Sequence, residues 1–235
     1  MKRKRHTLEV WGDFACFTRP EAKVERMSYP VITPSAARGI FDAIYWKPDD
    51  DFYWQIEKIE VLNLPRYIGL RRNEVKNKAD NESTILGWAS GKNQPEPLYA
   101  DATGEEAKGR TQRQTMALKN VRYRLVASMW SRRNRPLDAQ EAQFERRARQ
   151  GKCIYQPYFG CREFPAYFTT ELSSATPVPL DMQLGWMLYD VFDLAATGHN
   201  QSRASISLFE ATIRQGILEV PEYSSNLVRK AQAVA

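Results

Sequence analysis

Residues 33–48 read TPSAARGIFDAIYWKP, and the reading of this stretch decides the fold. Thr33 is a type that caps helices. Pro34 suits the first helical position, where an N–H would have had no partner. Ala37, Ile40, Phe41 and Ile44 follow at helical spacing, so the segment predicts a helix with one stripe turned to a core. Pro48 ends it, and the acidic run at 49–51 reads as a turn, with a divalent-ion site as the alternative.

Working outward, HTLEVWG at 6–12 alternates Leu8 and Val10 with Thr7, Glu9 and Trp11, the pattern of a half-buried strand. Residues 13–34 have no clean period and predict a long ordered loop carrying Arg19, Lys23 and Arg26; loops of that length are uncommon unless functional. On the other side, FYWQIEKIEVLNL at 52–64 alternates in two phases, Trp54/Ile56 and then Ile59/Val61, as a strand with a bulge near Lys58 would. Residues 65–113 are polar, charged and rich in turn formers, with parts expected to be mobile without a ligand. NVRYRLVASMW at 120–130 predicts a strand, with Val121, Tyr123, Leu125, Ala127 and Met129 against Arg122, Arg124 and Ser128. Residues 138–151 predict a short helix with Asp138 as cap, Arg149 in the last turn and Gly151 beyond it.

Residues 153–168 are aromatic and extended, broken at Gly160. Phe159 and Phe164 there suggest a packed hairpin holding Arg162 and Glu163 partly buried. After the linker at 173–180, residues 184–193 and 205–221 read as strands. Strand, helix, strand, strand, helix, strand is the order of a split βαβ unit. The expected fold is therefore α+β: a ferredoxin-like domain, as in RNA recognition motifs, over 1–170, and a small antiparallel β domain over 171–235.

With 34 Lys and Arg against 28 Asp and Glu, the formal charge is +6. A moderate basic excess suits an anionic partner, nucleic acid first, with an ordinary basic globular protein as the alternative. The basic residues cluster at Arg71, Arg72, Lys76 and Lys78, at Arg110 and Arg113, at Arg132, Arg133 and Arg135, and at Arg146, Arg147 and Arg149, with Tyr67, Trp88, Tyr99, Trp130, Tyr155 and Tyr158 interleaved. Arginine forks grip phosphates and aromatic faces stack on unpaired bases; the alternative is a solvated helix face and ordinary core aromatics. Cys16, Cys153 and Cys161 are odd in number and lack C-x-x-C spacing, against a disulfide framework or a four-cysteine zinc site. His6 and His199 are isolated, so no metal site and no cofactor are expected, and nucleotide-binding glycine motifs are absent. No signal peptide and no membrane span are read, so a soluble cytoplasmic protein is expected.

The residues also carry a family likeness. VWGDFACFTRPEAKVERMSYPVITPSAARGIFDAIYWKP (10–48), RRNEV (71–75), RQTMALKNVRYRL (113–125), FERRARQGKC (144–153), FGCREFPAYF (159–168) and LGWMLYD (184–190) together resemble the CRISPR-associated RAMP protein of the type I-C (Dvulg) system, in the same order from about residue 8 to about residue 193. The resemblance implies a metal-independent endoribonuclease that cuts the CRISPR repeat transcript on the 3′ side of its hairpin. It implies a subunit that then holds the 5′ handle of the guide RNA inside the type I-C Cascade, beside the backbone and large subunits. Contact with target DNA stays open.

The family's catalytic tyrosine falls on Tyr45. The adjacent lysine and histidine expected just before the FERRARQG core correspond to Ala139 and Gln140, so that pair is absent here. Lys47, Arg38 and Lys119 are candidate charge stabilisers. Arg19, Lys23, Arg26, Arg71, Arg72, Arg113, Arg146 and Arg147 are the candidate RNA contacts. On its residues alone Tyr45 reads either as helix-end packing or as chemistry. Two rival functions remain: a handle-binding scaffold of the same complex whose cleavage is weak or supplied otherwise, and an unrelated RNA-recognition-motif-like binding protein.

Overall fold

A computed structural model describes residues 3–22, 24–47, 52–75, 80–95, 110–196 and 205–230. Helix α1 (Pro34–Ile44) starts as its sequence demands: Thr33 is extended, and its hydroxyl accepts the Ala36 N–H at 3.2 Å. Ala37, Ile40, Phe41 and Ile44 are all fully buried. The helix stops at Tyr45, whose backbone turns extended. Its last carbonyls find partners from outside: Arg147 Nε donates to the Ile44 oxygen at 2.7 Å and the Ile154 N–H to the Ala43 oxygen at 2.6 Å. Unsatisfied end carbonyls are thereby paired, one of them with a cation at the negative end of the helix dipole.

The strands are β1 (His6–Ala15), β2 (Arg26–Met27), β3 (Phe52–Val61), β4 (Tyr67–Val75), β5 (Arg110–Ser131), β6 (Tyr167–Thr169), β7 (Met182–Asp190), β8 (Ser207–Arg214), β9 (Ile217–Glu219) and β10 (Val228–Lys230); helices α2 (Glu82–Ala89) and α3 (Asp138–Arg149) complete the list. The sheet runs β10–β8–β9–β3–β5–β1–β6, with β2 and β4 also pairing with β5, and β7 with β8. The β1–β5, β3–β5 and β1–β6 pairs are antiparallel. As expected, the β3–β5 register shifts between Ile56 and Lys58. The extra residue explains the two hydrophobic phases: Trp54, Ile56, Ile59 and Val61 all face the same way, opposite Met129, Ala127, Leu125 and Tyr123.

Helices α1 and α3 lie on that face. Phe41, Trp54 and Phe144 form its aromatic centre, with ring centroids 4.6–5.6 Å apart. Leu8 and Val10 are fully buried, as the alternation predicts, but so is Glu9, 1% exposed on the opposite face. There it accepts from Arg122, from Arg124 and from the backbone and hydroxyl of Ser173, and Arg124 reaches Glu60 at 2.8 Å. The linker after β6 covers this ionic row and satisfies it, with the Ser173 and Ala175 carbonyls accepting from Arg124. Gln55 ties the later strands to β3: its amide meets the Tyr189 hydroxyl at 2.8 Å and the Tyr223 N–H at 3.0 Å.

Some expectations need correcting. The loop expected at 13–34 contains the end of β1 and the short β2. The weakly patterned 65–113 region contains β4 and α2, the latter capped by the Asn81 side chain on the Thr84 N–H at 2.9 Å. Asp138 lies inside the first turn of α3 and Leu137 holds the cap position without a side-chain bond. The acid still faces the positive end of the helix dipole there. Arg162 and Glu163 are both exposed, and Glu163 pairs with Arg26 at 3.7 Å. Cys16, Cys153 and Cys161 are thiols and not disulfide partners. The chain divides into two compact units, Met1–Ile68 with Met116–Ala235, and Gly69–Thr115. Within the smaller one, Arg113 and Glu74 form an ion pair at 3.2 Å.

Candidate nucleic-acid interface

Tyr45 occupies the C-terminal cap of α1, 9% exposed, its ring nearly parallel to that of Phe52 with centroids 5.9 Å apart. The Trp54 indole N–H points to its carbonyl oxygen at 3.5 Å. Trp46 and Lys47 follow at the surface. Two guanidinium groups are tied to the backbone of neighbouring segments. Arg147 holds the Ile44 carbonyl, while Arg132 donates to the Phe52 carbonyl and, at 2.8 Å, to that of Leu194. Arg132 was one of a basic run in the sequence and nothing there linked it to Tyr45. The link is the pairing of its neighbour Ser131 with Phe52.

The other proposed charge stabilisers are placed differently. Arg38 donates to both oxygens of Asp190, at 2.7 and 3.2 Å, and to Asp42 one turn on. Asp190 and Asp42 hold the Arg38 guanidinium charged against its burial, pushing its pKa up. Burial outweighs Arg38 at Asp42 and pushes that carboxyl up to about 6. Lys119 pairs with Phe14, whereas Phe52 pairs with Ser131. Twelve residues of β5 separate the two positions, about 40 Å of strand at roughly 3.3 Å per residue, so Lys119 is not brought to Tyr45.

Of the proposed RNA contacts, Arg19 lies over the Tyr29 ring at 4.8 Å, and Arg26 contacts the Cys161 sulfur at 3.4 Å as well as Glu163. Arg146 is exposed and bonded to Gln143, and Arg147 is committed to α1. In the smaller unit Arg71 is exposed and Arg72 half-buried on β4, with Arg113 beside Glu74. Lys23, Lys76, Lys78 and His199, the 48–51 turn and the Arg110 side chain lie outside the described residues.

Ala139 and Gln140 sit in the first turn of α3. The nearby histidine is His6, buried with its ring edge-on to Trp54 and Phe144. Burial drives its pKa down to about 4 in spite of Glu145, 3.4 Å from Nδ1, so the ring is neutral at pH 7. Among the described residues no group of three metal-ligating side chains occurs, and no helix is long and apolar enough to cross a membrane.

An α+β sheet with α1 and α3 on one face is a fold seen in solved structures. A "Crystal Structure of CRISPR-associated Protein" matches with a TM-score of 0.61 at 18% identity, over 97% of this chain and all of that one. The functionally uncharacterized protein SMU1763c from Streptococcus mutans matches at 0.58 and 20% identity, over 97% of each. The sequence defines the group more narrowly. The model of the CRISPR-associated protein (Cas_Cas5) family, Cas_Cas5d, matches residues 7–221, and the chain belongs to that family. Two proteins named CRISPR pre-crRNA endoribonuclease Cas5d are similar along nearly their whole length. That of Mannheimia succiniciproducens is 39% identical over 96% of this chain and 99% of its own. That of Thermus thermophilus is 39% identical over 92% and 91%.

Proposed function

We propose that this chain is a pre-crRNA endoribonuclease of the type I-C CRISPR system, which cuts the repeat RNA without a metal ion and afterwards holds the 5′ handle of the guide. The observation that carries this is the near end-to-end match, at 39% identity, to two proteins bearing the name of that activity. Its partners on this reading are the repeat RNA and then the backbone and large subunits of the surveillance complex, with target DNA a further contact; all of these belong in the cytoplasm. The order β6–β1–β5–β3, with α1 and α3 in the connections, supports a ferredoxin-like description of 1–170. Pairing of β7, β9 and β10 with β8 supports a β domain over 171–235.

Metal-free RNA cleavage moves one proton off the 2′-hydroxyl, forms a 2′-O–P bond, breaks the P–O5′ bond and returns a proton to the 5′-oxygen. The products are a 2′,3′-cyclic phosphate and a 5′-hydroxyl. A phenol ordinarily titrates near pH 10, so Tyr45 is better suited to donate than to abstract at neutral pH. Its hydroxyl would protonate the leaving oxygen or hydrogen-bond the phosphorane. Arg147, bonded to the Ile44 carbonyl, and Arg132, bonded to the carbonyl of Phe52 whose ring stacks on Tyr45, would add positive potential to this region.

A second reading, a handle-binding scaffold that does not cut, is favoured by one observation. Ala139 and Gln140 stand where the family resemblance calls for a lysine–histidine pair, and His6 behind them is buried and neutral. Purified protein incubated with its cognate repeat RNA in EDTA separates the two. Cleavage at one site supports the first reading; tight binding of intact RNA supports the second; no preference for the repeat overturns both.

A further inference from the structure

Beside α1, on the side of Arg38 and Asp42, lies a cavity of about 420 Å³ that the cleavage chemistry leaves unused. Its walls come from α1, from the segment just after β1, from the aromatic 155–160 stretch and from the residues following β7. We propose that this cavity receives one unstacked base of the bound RNA, an amino-bearing base with guanine the best fit, stacked on Tyr155 or Phe192 and read by Asp42. The proposal rests on the RNA-binding part of the function proposed above and adds a site to it.

The cavity is of the size that ligand sites have. Two large rings stand half open at it: Tyr155 is 48% exposed and Phe192 44%. The Phe192 N–H bonds to Asp190 at 3.0 Å, and Arg38 lies 5.8 Å from its ring centre. Tyr155 lines the same cavity as Asp42, Tyr158 and Arg38. Such a ring of aromatics around a polar floor is how proteins hold splayed-out bases.

Asp42 supplies the reading edge. It is 16% exposed, and one carboxylate oxygen accepts from Arg38. A carboxylate offers about four acceptor positions, so the Arg38 bond to Oδ2 leaves acceptor capacity on Asp42 for a ligand. Burial makes this carboxyl hard to keep charged, so a ligand bringing N–H donors is favoured there. The Watson–Crick edge of guanine brings two adjacent donors, N1–H and the 2-amino group; adenine and cytosine each bring one amino group. Uracil brings a single N–H between two carbonyls, which the carboxylate repels. Gly160 lines the cavity and the next residue, Cys161, is contacted by Arg26, a cation available to a flanking phosphate.

The test uses the full chain and cognate repeat RNA in which each unpaired base is changed in turn. In the wild type, one position should prefer guanine, and replacement by uracil there should weaken binding by about 10-fold or more, the scale of one good base contact. Replacing that guanine with inosine, which lacks the 2-amino group, should lose part of the same factor. Asp42→Asn should abolish the ranking at that position alone. Tyr155→Ala, an exposed change that leaves the Arg38 pairs intact, should lower the affinity of every RNA several-fold while flattening the same position. Identical base rankings in the wild type and both variants overturn the proposal and leave the RNA reading standing. Failure of the wild type to prefer repeat RNA overturns both. Loss of assembly with partner subunits in Tyr155→Ala, with the base ranking unchanged, assigns the cavity to a protein side chain and overturns it as well.

Discussion

Tyr45 and His6 are the two residues at which proton chemistry and packing compete. Tyr45→Phe keeps the ring on Phe52 and removes only the hydroxyl. Folding should change by no more than the roughly 0.5–1.5 kcal/mol of one hydrogen bond. The single-turnover rate of repeat cleavage in EDTA should fall about 10-fold or more if the phenol acts on the phosphorane or the leaving oxygen. An unchanged rate returns Tyr45 to packing. His6 makes a pH prediction. Its folded pKa of about 4 lies below the ordinary 6.5, so the unfolded chain binds the proton first. Stability should be full above pH 6.5 and fall as the pH drops towards 4, by about 3 kcal/mol in total. Urea midpoints at pH 7.5 and 5 measure it, and His6→Leu should lose less stability between them than the wild type does. An equal loss in both proteins would assign the acid sensitivity to the carboxylates.

Among the elements, α1 and β3 follow local rules closely, and the hairpin at Gly160 does not. Thr33→Ala removes the α1 cap bond and should cost about 1 kcal/mol. Gly160 has φ +78°, and a Cβ there would stand 2.1 Å from the Cys16 carbonyl oxygen. Gly160→Ala should therefore cost about 2 kcal/mol or more, read as a lowered thermal midpoint, with the cavity wall disturbed in the same step. A midpoint within a degree of the wild type would mean that the hairpin yields freely. The glycine was visible in the sequence as a break in an aromatic run. That the break exists so that 157–166 can press against the end of β1 depends on a partner more than 140 residues away.

Over the whole molecule, the net charge overstates the surface that nucleic acid can use. Arg38, Arg124 and Arg132 are spent on internal carboxylates and carbonyls, and Arg122 on Glu9. RNA affinity should still fall steeply with salt, because the exposed arginines displace condensed counterions. Arg146→Ala should lower the slope of log affinity against log salt by about 1 if it touches a phosphate. Arg124→Ala should instead destabilise the fold by about 3–5 kcal/mol, since it leaves Glu9 and Glu60 short of their partner in a buried row. Equal slopes and equal stabilities in the two variants would show that the division between internal and surface cations is drawn wrongly.

The elements legible from the residues alone are those whose signals are local: the Thr33–Pro34 start and buried stripe of α1, the alternation of β1 and β5, and the bulge near Lys58. Each depends on neighbours within a few positions, where helical and strand periodicities hold. Only the tertiary structure decided which charges meet. Arg38 finds Asp190 across 152 residues, Glu9 finds Ser173 across 164, and Arg132, before α3, and Arg147, within it, bond the carbonyls of Phe52 and Ile44. The same pairing set Lys119 opposite Phe14, well along β5 from Ser131, and gathered Asp42, Tyr155 and Phe192 around one cavity. No sequence period records such encounters, because they follow from the register of strands and the path of the linkers, and a side chain's partner is set by whichever backbone the packed core brings beside it.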